Sequence, residues 1–176
     1  GGNEQTLIYA WPYYWLGCYN DAPQVNPVDG RLVWLNWQNS PGLAVADADG
    51  QNPYWVTNTL QSDVYPVWSP DGEWIAFNRS WNDVYKIRPD GSDLTRLSNT
   101  NGGIGNAGAW SADGAWLVWP GEVNGVQDVY AIASDGSGLM VPLDTTLGWE
   151  PNWVGGAGVL DIDVTRVFLP LVVRNM

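Results

Sequence analysis

The sequence predicts an all-β chain in which its 176 residues form an array of about four repeated four-stranded units. Three observations predict it. A string recurs along the chain with a shift of 42 residues. Each clear copy holds two Asp-Gly turn signals between runs in which apolar and polar residues alternate, the period of a half-buried strand. No segment of ten or more residues keeps a helical period without an interrupting Gly or Pro. A repeat near 42 residues is that of a four-stranded propeller blade.

Taken in order, the chain reads as one domain over 1–176. An N-terminal strand and aromatic link occupy 1–24, and repeats follow over approximately 25–62, 63–104, 105–146 and 147–176. The first repeat is degraded: Asp29-Gly30 matches Asp71-Gly72 at the 42-residue shift, with Asn26 at the place of a Trp. In the second, Trp68-Ser69-Pro70-Asp71-Gly72 is a tight-turn sequence, with Pro where φ is already set and Gly closing the turn. Trp74, Ala76 and Asn78 then alternate with Ile75 and Phe77 as a strand, and strands over 84–87 and 94–97 flank the Asp90-Gly91 turn. In the third, Trp110-Ser111-Ala112-Asp113-Gly114 overlays the same turn, and strands are expected over 116–119, 129–132 and 139–143. Trp153, 43 residues after Trp110, opens the fourth.

Closure is left with two solutions for the chain by itself, and a third in which it is a fragment of a larger propeller, because propellers typically need 4 to 8 blades. Strands over 149–154, 159–164 and 167–173 with 6–10 from the N-terminus would make a last blade and a small closed ring. Alternatively the array stays open and is completed by neighbouring subunits, since unpaired strand edges template pairing with another copy.

Composition narrows function. There is no His among the 176 residues, which removes the usual general base of Ser-His-Asp and Cys-His sites and the commonest metal ligand. Catalysis, metal and cofactor are therefore not expected. The net charge of −12 repels polyanions, so nucleic acid is not expected as a partner. The single Cys18 cannot form an internal disulfide, and no apolar run approaches the length of a membrane span. The start of the chain, without Met or a charged and apolar leader, suggests a processed mature chain.

The string of Trp68-Ser69-Pro70-Asp71-Gly72, Ile75-Ala76-Phe77, Val84-Tyr85, Asp90-Gly91-Ser92 and Leu94-Thr95-Arg96-Leu97 resembles the repeat of TolB-type propellers, the PD40 or WD40-like β-propeller repeat. The resemblance is strong over 63–100, good over 104–156 and faint over 25–57. It implies radial four-stranded blades in a module that is mostly extracytoplasmic: extracellular, at the cell surface or periplasmic. Such modules serve as protein-interaction domains, as covers of peptidase domains or as carbohydrate-linked accessory modules. The signature is architectural and brings no catalytic motif.

Three groups of residues are candidates for function. Trp11, Tyr13, Tyr14, Trp15 and Tyr19 cluster outside the repeat and could contact a glycan or a protein, since aromatic faces stack on sugar C–H groups; otherwise they plug or pack between blades. Val167, Phe168, Leu169, Leu171, Val172 and Val173 form a short apolar tail, interrupted by Pro170, that is a strand donated to a neighbour or one that completes its own blade. The recurring Trp68, Asp71, Gly72, Trp110, Asp113, Gly114 and Trp153 are expected to be structural. The run from Asp47 to Asn52 superficially resembles a calcium loop but reads better as a hairpin turn, and Asn78-Arg79-Ser80 matches a glycosylation sequon. The expected function is a non-catalytic propeller-type interaction module that associates with itself, as a homo-oligomer or filament, or with another protein, with carbohydrate binding as the alternative.

Overall fold

The computed structural model describes residues 23–36, 42–99, 108–123 and 126–143, together with the backbone of 159–160. These residues build three sheets, each holding an antiparallel meander of four strands, to which the third adds a fifth, parallel strand. The first sheet holds β1 (Gln24–Val25), β2 (Leu32–Asn36), β3 (Gly42–Ala46) and β4 (Tyr54–Trp55). The second holds β5 (Asp63–Trp68), β6 (Ile75–Arg79), β7 (Asp83–Ile87) and β8 (Thr95–Arg96). The third holds β9 (Ala109–Ser111), β10 (Trp116–Val123), β11 (Val126–Ala133) and β12 (Met140–Leu143). No helix occurs among the described residues, as the missing 3.6-residue period predicts.

Antiparallel threading decides which ends of the strands meet. The turns from first to second and from third to fourth strand, which hold the Asp-Gly pairs, lie at one end of each sheet. The turns from second to third strand lie at the other. The Asn26 side chain donates from Nδ2 to the Gly72 carbonyl oxygen at 2.9 Å, so the Asp-Gly ends of the first and second sheets face the same way.

Period-2 alternation divides the side chains of β6 between two cores. Ile75 and Phe77 pack with Val33, Leu43, Val45, Val56, Trp68 and Ile87 between the first and second sheets. Ala76 packs on the other side with Val84, Leu97, Trp110, Leu117, Trp119, Tyr130 and Ile132, toward the third. The second sheet is thus covered on both faces, which is why its central strand reads as a nearly continuous buried run. Each large apolar side chain buried there contributes about 1.5–3 kcal/mol.

A second repeated device fastens the fourth strand. The Val84 N–H donates to the Ser98 hydroxyl at 2.8 Å while the Val84 carbonyl accepts from Leu97. The Leu43 N–H donates to the Thr57 hydroxyl at 2.9 Å while the Leu43 carbonyl accepts from Val56. A small hydroxyl residue at the end of the sheet therefore satisfies a backbone donor that a two-residue strand leaves unpaired.

Two features differ from the expectation. Val159–Leu160, here β13, runs parallel to β9 on the third sheet, with Val159 opposite Trp110, and does not begin a fourth sheet in the described residues. The physical reason is that the other edge of β9 offers unpaired backbone groups to any extended segment near it. Among the described residues the three sheets form an open row; the remaining strands assigned to a closing blade, over 6–10, 149–154 and 167–173, lie outside the described residues. The β10–β11 hairpin is also longer than its counterpart, its eight-residue strands pairing out to Val123 and Val126. The extra length sits wholly between the two turn series: Gly72 to Gly114 is a shift of 42, Asp90 to Asp135 one of 45.

Candidate functional site

The recurring Trp residues have a defined task. Trp68 ends β5, packs between the first two sheets and donates its indole N–H to the Gln24 carbonyl oxygen on β1 at 3.3 Å. Trp110 lies on β9, packs between the second and third sheets and donates to the Val67 carbonyl oxygen on β5 at 3.3 Å. The same donor therefore reaches back to the first strand of the preceding sheet in both cases. Indole suits the position because it buries a large apolar ring and still satisfies its one polar atom.

The residues after each Trp cap the turn. Ser69 donates its hydroxyl proton to Asp71 and accepts the Trp74 N–H at 2.9 Å, while Asp71 Oδ1 also accepts the Glu73 N–H at 3.0 Å. Ser111, Asp113, Ala115 and Trp116 repeat the set at 2.6–2.9 Å. The Ser111 hydroxyl, with the Ala115 N–H, holds the Asp113 carboxyl below the usual carboxylate range. Gly72 and Gly114 stand at φ of +70° and +71°, in the left-handed region that glycine tolerates. In the first sheet the hydrogen bonds align Asn26 with Ser69 and not with Trp68. The Asn26 N–H donates to the Arg31 carbonyl oxygen as the Ser69 N–H does to that of Trp74, and Asn26 Oδ1 accepts the Val28 and Asp29 N–H groups. An Asn side chain replaces the hydroxyl because both can accept turn amides.

Asp47 to Asn52 forms a closed local turn: Asn52 Nδ2 donates to Asp47 Oδ2 at 2.7 Å and Gln51 N–H to Asp49 Oδ1 at 3.0 Å. Asn78 lies in the middle of β6 with no exposed surface, so its sequon is sealed inside the sheet stack and offers no acceptor for a glycan. Trp11, Tyr13, Tyr14, Trp15, Tyr19, the tail residues Val167 to Val173 and Trp153 lie outside the described residues.

The opposite end of the second sheet carries what repeat reasoning missed. Asp63 on β5, wholly buried, receives Arg79 of β6 in two hydrogen bonds, Nε to Oδ1 at 2.7 Å and Nη2 to Oδ2 at 2.9 Å. The Arg79 guanidinium also stacks 5.3 Å from the Phe77 ring and 5.0 Å from that of Tyr85. Across the sheet Arg79 stands opposite Asp83, whose carboxylate accepts from Arg96 at 2.6 Å and from the Ser98 hydroxyl at 3.1 Å. Charges of alternating sign thus cross four strands. Beyond them the hairpin turn places Ser80 at φ +56° and Trp81 at φ +61°, with Trp81 half exposed and edge-on to Tyr65 at 5.6 Å. Tyr65 is itself at φ +56°, within a bulge between Val64 and Val67. A signal for this end was in the sequence: Trp81 has no aromatic counterpart 42 residues away on either side, where Asn39 and Val123 stand.

Three four-stranded sheets, facing one way and joined by a recurring contact between first strands, define a propeller-class blade array. No family model matches the chain. It is 28% identical over 112 residues to the Tol-Pal system protein TolB of Ruthia magnifica subsp. Calyptogena magnifica, covering 58% of this chain and 26% of that protein. The fold matches that of TolB from Acinetobacter baumannii with a TM-score of 0.59 at 20% identity, over 69% of this chain and 31% of that one. It also matches an oligogalacturonate lyase from Vibrio parahaemolyticus with a TM-score of 0.57 at 9% identity, over 68% and 38% of the two chains. The chain is thus similar in sequence and in fold to TolB β-propellers, and it spans about a quarter of the length of the curated relative it matches.

Proposed function

We propose that the chain is a non-catalytic, extracytoplasmic interaction module that acts by associating with another copy of itself or with a second protein. The observation that supports this reading is the repeated docking contact, Trp68 to Gln24 and Trp110 to Val67, each at 3.3 Å. Its acceptor is a backbone carbonyl, which any sheet of this geometry presents. A contact of this heterologous kind serves equally between sheets of one chain and between sheets of neighbouring chains. The polar side chains that recur with the blade, Ser69, Asp71, Ser111 and Asp113, hydrogen-bond their own turns, which favours an architectural role over a chemical one. Likeness to TolB proteins favours the periplasm and a protein partner. In this reading 1–176 is one module, and the tail from Val167 to Val173 is the strand passed to a neighbour.

Sedimentation of the 19.3 kDa chain tests it. Species larger than the monomer, lost on deleting 166–176, are expected; a monomer at every concentration up to about 100 µM removes self-association and leaves the protein-partner form alone.

A further inference from the structure

We propose that the Ser80–Trp81 turn, together with Leu60, is a docking surface for a cationic segment of a partner protein, with an arginine or lysine of that partner stacking on the Trp81 indole. Trp81 is 47% exposed and Leu60 fully exposed, whereas most large apolar residues of the second sheet are buried. The two belong to one end of the sheet, since the Ser80 N–H donates to the Ser62 carbonyl at 2.7 Å, tying the turn to the link that carries Leu60. Both central residues of the turn are left-handed, positions that favour Asn-Gly, and the Asn82 N–H closes it on the Arg79 carbonyl at 3.2 Å. Holding a Trp at φ +61° costs stability that a Gly would not, and such local strain tends to mark sites kept for a task. Tyr65 braces the indole in a T-shaped contact, with ring centroids 5.6 Å apart, while Trp81 stays about half exposed.

Charge selects the occupant. The two cations at this end among the described residues, Arg79 and Arg96, are held by Asp63 and Asp83, while Arg31, Lys86 and Arg88 lie toward the Asp-Gly end. Glu122 and Asp128 of the long hairpin stand at the same end as Trp81, on a chain of net charge −12. An exposed indole on an acidic chain, at the end that carries Glu122 and Asp128, attracts a cation through both its quadrupole and the protein's field.

The test uses the full chain and an acetylated hexa-arginine peptide as probe, with a neutral Gly-Ser peptide and cellohexaose as controls. Trp81→Gly relieves the left-handed strain, so the variant melts no lower than the parent and loss of binding cannot be ascribed to unfolding. The expected result is that hexa-arginine binds the parent, shifts the Trp81 indole N–H resonance, and binds Trp81→Gly roughly 3- to 30-fold more weakly. Equal binding by the two proteins places the peptide on the acidic Asp-Gly end and overturns the proposal. So does cellohexaose binding that is lost in Trp81→Gly and not displaced by hexa-arginine, which makes the surface a glycan site. Neither outcome bears on the sedimentation result above.

Discussion

Replacing Arg79 by Met keeps most of the aliphatic bulk beside Phe77 and Tyr85 but leaves the Asp63 carboxylate, which has no exposed surface, without its counter-ion. Two charge-assisted hydrogen bonds, at 2.7 and 2.9 Å, disappear. At about 1.5–3 kcal/mol each they amount to roughly 3–6 kcal/mol, in line with the roughly 3–5 kcal/mol found on breaking buried ion pairs. With a urea slope of about 2 kcal/mol/M, a loss of about 4 kcal/mol lowers the unfolding midpoint by roughly 2 M. The double variant Asp63→Leu, Arg79→Met removes both charges and is expected to recover most of the loss, because two well-packed apolar residues replace a buried pair at little net cost. Urea unfolding at pH 7, followed by tryptophan fluorescence, measures all three proteins. A midpoint shift below about 0.5 M for Arg79→Met, or a double variant no more stable than the single one, would refute the reasoning.

Three further outcomes are expected. Gly72→Ala destabilises more than Gly114→Ala: both glycines are left-handed, but a Cβ at Gly72 collides with Asn26 Oδ1 whereas at Gly114 the nearest atom, Pro70 Cδ, is 3.9 Å away; equal melting temperatures would contradict this. Asn78→Leu raises stability by about 1–3 kcal/mol, since neither polar atom of the buried amide has a partner and Leu35 is the corresponding residue of the first sheet; a loss on thermal unfolding counts against it. Because the Asp113 pKa is lowered by folding, its contribution is complete above about pH 4 and is lost as pH falls through the folded value. The stability gap between the parent and Asp113→Asn therefore narrows from pH 5 to pH 2, and a gap that stays constant over that range would show that the turn contacts do not lower this pKa.

How much of this was legible depends on whether a residue's role is local. Asp71-Gly72 and Asp113-Gly114 read correctly as turns because an Asx turn closes within four residues and needs a left-handed Gly. The central strand of the second sheet was legible from alternation, since period 2 reports the two faces directly, and the two after it from the Asp90-Gly91 turn that they flank. Asn26 was misaligned by one residue because the turn it caps distributes its length differently, and only the pairing with Arg31 reveals that. The ion pair of Asp63 with Arg79 spans 16 residues and has no equivalent in the other repeats, so no periodicity announces it. Trp81 was overlooked for a related reason. Attention to Trp residues that recur hides one that does not. The apparent sequon at Asn78 failed because a three-residue pattern carries no information on burial.

The three added residues of the β10–β11 hairpin lie at the end away from the Asp-Gly turns, where Val123 of the last strand pair still packs against the core between the second and third sheets. Length variation there leaves every fastening residue of the third sheet in place, from Trp110 at its start to Ala133 where the hairpin rejoins the turn. The Asp-Gly rim is therefore conformationally committed, whereas at the opposite rim the tip of the β10–β11 hairpin is a place where peptide can be added. A foreign epitope grafted between Val123 and Val126 should be displayed without retuning the scaffold, provided that the pairing of these two residues is kept.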